Sequence, residues 1–207
     1  MVFFITICFL GLYAFNVNGL KVEDRVQVQV YYESLCPYSI DFIVNQLYPG
    51  FLTIGSDKIN LELIPYGHAT ESLINGTKTF KCQHGPAECY GNKIHSCVID
   101  LYDVNSSTQF IFCAEGSDSP TDDSNLQICA RNTNGISWSE IEECMSSGKG
   151  DDLLSENGKK TALVNPLGVP YIVFDGVYSD KNQNAAQTDF RKFVCDLSGN
   201  PSTECNI

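Results

Sequence analysis

The chain of 207 residues carries 25 acidic against 13 basic side chains, and its formal charge of −12, with no clustered basic stretch, argues against nucleic acid or anionic membrane as a partner. Its length suffices for one domain with a sizeable core and an insertion. It carries ten cysteines, most of which should be paired in an oxidising compartment.

The opening "MVFFITICFLGLYAFNVNG" is uncharged, mostly apolar, and ends in small and polar residues with Val17 and Gly19 placed for cleavage. It reads as a secretory signal peptide over residues 1–19, the alternative being a buried N-terminal strand or helix. It is short for a transmembrane helix, and no later segment is comparably apolar, so no membrane association is expected once it is removed. A single domain over 20–207 should follow, secreted to the extracellular space or delivered to lysosomes.

"RVQVQVYYE" alternates Val26, Val28, Val30 and Tyr32 with Gln27, Gln29 and Tyr31, the period-2 pattern of a strand. After Cys36 the spacing of Ile40, Ile43, Val44, Leu47 and Tyr48 predicts a helix with one buried face. Pro37 suits its first position, and Pro49 and Gly50 are expected to end it. "KINLELIPYG" alternates Ile59, Leu61 and Leu63 and gives a second strand, completing a βαβ unit. A cysteine-rich helical insertion then runs from about residue 68 to 160. Within it "SWSEIEECM" predicts a helix opened by a capping box of Ser137 and Glu140, with Trp138, Ile141 and Met145 at helical spacing. "GDDLL" opens a further short helix with its acids at the positive end. "GVPYIVFDGVY" predicts a strand from Tyr171 to Phe174, a two-residue turn at Asp175 and Gly176, and a return strand at Val177 and Tyr178. "NAAQTDFRKFVCDL" closes the chain as a helix with Phe190, Phe193, Val194 and Leu197 on one face. The order β, α, β, helical insertion, ββ, α predicts an α/β (α+β) thioredoxin-like fold interrupted after its first βαβ unit; a generic disulfide-rich α+β domain is the competing reading.

Setting aside Cys8 in the leader leaves nine cysteines. Eight of them, Cys82, Cys89, Cys97, Cys113, Cys129, Cys144, Cys195 and Cys205, follow residue 80. They are expected to form four disulfides of unknown pairing, with Cys36 free; Cys36 in a structural bridge and another cysteine left over is the alternative. Asn75 ("NGT") and Asn105 ("NSS") are candidate glycosylation sites.

A cysteine at a strand-to-helix junction faces unsatisfied N–H groups and the positive end of the helix dipole, which favour an anionic sulfur able to attack a disulfide. In a Cys-x-x-Cys site the second sulfur then resolves the mixed disulfide from within. That position is Ser39, which can donate a hydrogen bond to the Cys36 sulfur but cannot resolve, so an external thiol such as cysteine or glutathione is expected to act as reductant, with no bound cofactor. Pro170, after Val169 and directly before a strand, sits where a thioredoxin-like fold keeps a cis proline facing the active cysteine; by X-Pro statistics alone a trans turn proline is favoured. Val169 and Pro170, with Pro37 and Tyr38 beside the cysteine, are the expected substrate contacts.

Residues 82–97, "CQHGPAECYGNKIHSC", resemble without a mismatch the signature CQHGxxECxxNxxxxC of the gamma-interferon-inducible lysosomal thiol reductase family, on Cys82, Gln83, His84, Gly85, Glu88, Cys89, Asn92 and Cys97. The resemblance implies a thioredoxin-like domain with a helical insertion that reduces disulfide-containing protein substrates under acidic conditions. The family's nucleophile falls on Cys36 and its resolving cysteine on Ser39, where this chain departs from Cys-x-x-Cys. The expected function is a one-cysteine thiol oxidoreductase; the alternative is a secreted binding protein that has kept the scaffold and lost turnover. Cys82, Cys89 and Cys97 with His84 and His95 match no usual zinc spacing, and no metal site is expected. His84, Glu88 and Asn92 are read as braces of the insertion rather than as acid–base groups.

Overall fold

The computed structural model describes residues 25–199 and Cys205. The leader and its cleavage site lie outside the described residues. Three strands form the central sheet: β1 (Val26–Tyr32) lies between β2 (Ile59–Pro65), parallel to it, and β5 (Tyr171–Phe174), antiparallel. Val28 and Val30 of β1 stand opposite Leu61 and Leu63 of β2, so the apolar positions of neighbouring strands coincide on one face. That face, with Tyr32, Ile172 and Phe174, belongs to the main core. Its reverse is divided: Tyr31, Ile64 and Val173 form a small second core cluster, while further along Gln29 donates to Glu62 at 2.7 Å and Lys160 pairs with the same carboxylate at 2.6 Å.

The helix after Cys36 begins as α1 (Pro37–Phe42), with Pro37 in its first turn. It does not stop at Pro49. A π-helical turn (Ile43–Leu47), closed by Tyr48 N–H donating to Ile43 O, leads straight into α2 (Tyr48–Ile54), and Pro49 occupies the first turn of that segment. A proline with no N–H is tolerated where the hydrogen-bond ladder restarts. Gly50 is required there by contact rather than by turning: a Cβ on it would come within 2.6 Å of Phe190 Cδ1 in the last helix.

In place of helix, the insertion opens with a hairpin, β3 (Thr70–Ile74) and β4 (Thr77–Lys81), joined through Asn75 and Gly76, both at positive φ. Asn-Gly is a strong two-residue hairpin signal, here read only as part of a sequon. Five helices follow: α3 (Pro86–Leu101), α4 (Val104–Glu115), α5 (Asp123–Asn132), α6 (Trp138–Ser146) and α7 (Lys149–Val164). The helix at "GDDLL" is therefore a long one of 16 residues, with Asp151 and Asp152 in its first turn as expected. The capping box is not formed. Ser137 makes no side-chain cap; instead the Tyr102 hydroxyl accepts from Ser137 N–H at 3.0 Å and donates to Glu140 Oε2 at 2.6 Å.

Asp175 and Gly176 turn at positive φ, but the return strand reduces to one bridge, Phe174 with Val177, because the chain enters α8 (Asp180–Ser198) directly. Asp189 interrupts α8 with non-helical dihedrals. Phe190 and Val194 are buried below it, whereas Leu197, expected on the same face, is 41% exposed. Disulfides join Cys82 to Cys89, Cys97 to Cys144, Cys113 to Cys129, and Cys195 to Cys205. Cys36 is the free cysteine among the described residues.

Candidate active site

Cys36 caps the N-terminus of α1, its carbonyl accepting from Ile40 N–H at 3.0 Å and its own N–H donating to Glu33 O at 3.2 Å. Its thiol is buried at 6% exposure, and Sγ lies 3.7 Å from the carbonyl oxygen of Val169. The Val169–Pro170 peptide is cis, so two segments separated by 133 residues meet at the sulfur. Gln183 of α8 fixes this second segment, donating to Pro170 O at 2.7 Å and accepting from Ile172 N–H at 2.9 Å. Nothing in the spacing of Gln183 marks it for this role. Beside the cis peptide a cleft is lined by Tyr38, Leu167, Val169, Pro170, Tyr171 and Tyr178, with Tyr38 75% and Leu167 98% exposed. Tyr171 and Tyr178 stack 4.0 Å apart along it. Such a wall offers apolar contact to an extended peptide.

Ser39 is fully buried. Its Oγ accepts the backbone N–H of Glu33 at 3.4 Å, which corrects the expected Ser39–Cys36 hydrogen bond. A serine one helical turn below the cysteine therefore ties α1 to the end of β1.

The segment before Cys36 is held by the signature block. Ser34 N–H donates to Asn92 Oδ1 at 2.9 Å, and Ser34 Oγ donates to Glu88 O at 3.1 Å. Glu33 Oε1 accepts from His68 N–H at 2.6 Å, while Glu33 Oε2 lies 3.4 Å from His84 Nδ1. His84 Nδ1 also contacts Glu88 Oε2, and its backbone N–H donates to Glu88 Oε1 at 3.1 Å. The close fit is enforced by two glycines: a Cβ on Gly91 would meet Ser34 Oγ at 2.5 Å, and one on Gly67 would meet Glu33 Cγ at 2.2 Å. His84, Glu88 and Asn92 thus brace the loop that carries Cys36, not merely the insertion. Glu33 and Ser34 carry no mark in the sequence beyond polarity directly after an apolar strand.

Beneath this loop lies a buried polar group. Tyr32 Oη is 3.1 Å from His95 Nδ1, and Glu115 Oε1 is 3.7 Å from the same nitrogen, with all three residues inaccessible or nearly so. Burial lowers His95 to about 3, so it is neutral in the folded protein. Burial, with smaller contributions from the charges of Cys36 and Glu88, holds the Glu115 carboxyl well above the usual range. Cys82, Cys89 and Cys97 are all disulfide-bonded, so their sulfurs are not available with His84 and His95 as zinc ligands. Asn75 and Asn105 are both exposed, the first in the hairpin turn and the second in the opening turn of α4.

Residues 27–133 match the family model described as "Gamma interferon inducible lysosomal thiol reductase (GILT)". The chain belongs to this family. It is 35% identical over 179 residues to the gamma-interferon-inducible lysosomal thiol reductase of Carassius auratus, covering 83% of this chain and 68% of that one. To GILT-like protein 1 of Drosophila melanogaster it is 34% identical over 197 residues, covering 88% and 79%. Among solved structures it is similar to MdbA, a thiol-disulfide oxidoreductase from Actinomyces oris, with a TM-score of 0.59 at 14% identity over 87% of this chain and 83% of that one. Reduced DsbA from Mycobacterium tuberculosis gives a TM-score of 0.54 at 15% identity, over 84% and 88%. At such identities these two likenesses carry the fold alone, and the fold is thioredoxin-like. No described helix is long and apolar enough to cross a membrane.

Proposed function

We propose that this GILT-family chain is a secreted or lysosomal oxidoreductase that reduces protein disulfides through Cys36 alone. The observation that carries the reading is the placement of the one free described cysteine at the start of α1, with its sulfur 3.7 Å from the carbonyl of a cis Val169–Pro170 peptide. The Cys36 thiolate attacks one sulfur of a substrate disulfide, forming a mixed disulfide and releasing the other sulfur as thiolate. A small thiol then attacks the Cys36 sulfur and frees the second substrate thiolate; a second small thiol attacks in turn, restores Cys36 and leaves as the oxidised small-thiol disulfide. Two electrons pass from two external thiols, cysteine or glutathione in kind, to one substrate disulfide, and no resident cofactor enters the sequence of steps. Val169 presents its backbone to the substrate peptide beside Pro170, with Pro37 and Tyr38 next to the cysteine as further contacts. Ser39 holds α1 against Glu33 and has no sulfur with which to resolve.

Buried Cys36 and Ser39 favour one other reading, a binding scaffold without turnover. Reduction of a fluorogenic protein disulfide by limiting free cysteine separates the two. With the external thiol held below about millimolar, the range of effective concentrations reached by tethering, turnover should vanish in Cys36→Ser and rise about tenfold or more in Ser39→Cys. A native protein no better than Cys36→Ser, beside an active Ser39→Cys, would overturn the enzymatic reading in favour of the scaffold.

A further inference from the structure

Three side chains next to the Cys36 loop have no part in the sulfur chemistry yet converge on one point. Glu33 follows β1, His84 lies in the turn after the hairpin, and Glu88 lies in the first turn of α3; one ligand-type atom from each falls within 4.8 Å of the others. Both carboxylates are fully buried, whereas the imidazole is one-third exposed. Glu33 Oε2, directed at this point and inaccessible, has no hydrogen-bond partner. Two carboxylates facing a single imidazole leave an excess negative charge even when the ring is protonated, an arrangement costly to bury. A divalent cation beside a neutral imidazole cancels that charge.

We propose that Glu33, His84 and Glu88 form a binding site for a zinc-type divalent cation. A tetrahedral zinc with bonds of about 2.0–2.2 Å spaces its ligand atoms about 3.3 Å apart. His84 Nδ1 and Glu33 Oε2 stand 3.4 Å apart already, and the shorter His84–Glu88 contact opens slightly to admit the ion. One nitrogen and two carboxylate oxygens suit zinc better than calcium or magnesium, which take oxygen ligands. The exposed edge of His84 gives the ion a way in. Its effect is mechanical: Glu33 accepts the Cys36 N–H at its carbonyl and donates to Ser39 Oγ, so an ion on Glu33 clamps the cysteine loop to α3.

The test is zinc titration of the folded, disulfide-intact protein against a chromophoric chelator near neutral pH, with the melting temperature followed in parallel. One zinc per chain and an upward shift of the melting temperature with free zinc are expected. Both should be lost in His84→Ala and in Glu33→Gln, the second of which keeps the acceptor for His68 N–H and so keeps the fold. Both should persist in Cys36→Ser, which removes the nearby thiol. No binding by the native protein, binding that survives His84→Ala, or binding lost in Cys36→Ser would each overturn the site. The proposal stands apart from turnover at Cys36 and is read without an activity assay.

Discussion

Glu115 ends α4 with both carboxylate oxygens buried and without a hydrogen-bond partner, beside a neutral His95 that cannot supply a charge. Its folded-state affinity for a proton is raised above the usual 4.5 by burial first, then by Cys36 and Glu88. The sign follows by linkage: the stability contributed by the neutral acid is present below pH 4.5 and is lost as the pH rises towards the folded value. Glu115→Gln removes that loss. The variant should be more stable than the native protein by about 1 kcal/mol or more at neutral pH, with the difference closing as the pH falls to the unfolded value. His95 acts in the other sense. Its depressed value costs stability as the pH falls from 6.5 towards about 3, but it is common to both proteins and cancels in the difference. Denaturant titrations across the acidic range check this, and a gap independent of pH would refute the assignment. Cys36, Pro170 and the signature residues were legible one by one in the sequence. Glu33, Glu115 and Gln183 were not, because a lone polar residue acquires its meaning only from what folds against it.

At the scale of elements, β1, β2, β5 and the start of α1 followed from residue pattern and proline placement, since each is set by residues close together along the chain. The departures have local causes of a different kind. Pro49 reads as a terminator when only the α-helical ladder is considered, and a single π turn accommodates it. Ser137 and Glu140 have the right spacing for a capping box, yet the Tyr102 hydroxyl at the C-cap of α3 accepts the Ser137 N–H that Glu140 would have taken, and donates to Glu140. Two substitutions discriminate these caps. Tyr102→Phe should cost about 1 kcal/mol, the worth of a helix cap, whereas Ser137→Ala should cost only a few tenths. Chemical denaturation of both variants gives the answer, and the reverse order would restore the capping box.

The whole molecule is held by links that differ widely in span. Cys97–Cys144 joins α3 to α6 across a sequence separation of 47, and Cys82–Cys89 closes a separation of only 7. Because a crosslink restricts the unfolded chain more as its loop grows, removing the first pair should cost about 4 kcal/mol and the second about 2 kcal/mol. Paired Cys→Ala variants compared by denaturant midpoint test that order. Equal losses would show that local packing, not loop span, governs both.

The sequence by itself determined the strands and helices with clear periodicity, the cysteine without a local partner, the serine at the resolving position and the family signature. All of these are properties of residues close together along the chain. Only the tertiary structure decided which cysteines pair, that Ser39 bonds Glu33 rather than the sulfur, and that the signature helix grips the loop carrying Cys36. The contacts Ser34 to Asn92 and Cys36 to Val169 span 58 and 133 residues. No periodicity encodes contacts of that span, which arise when burial of the shared core brings separate elements face to face.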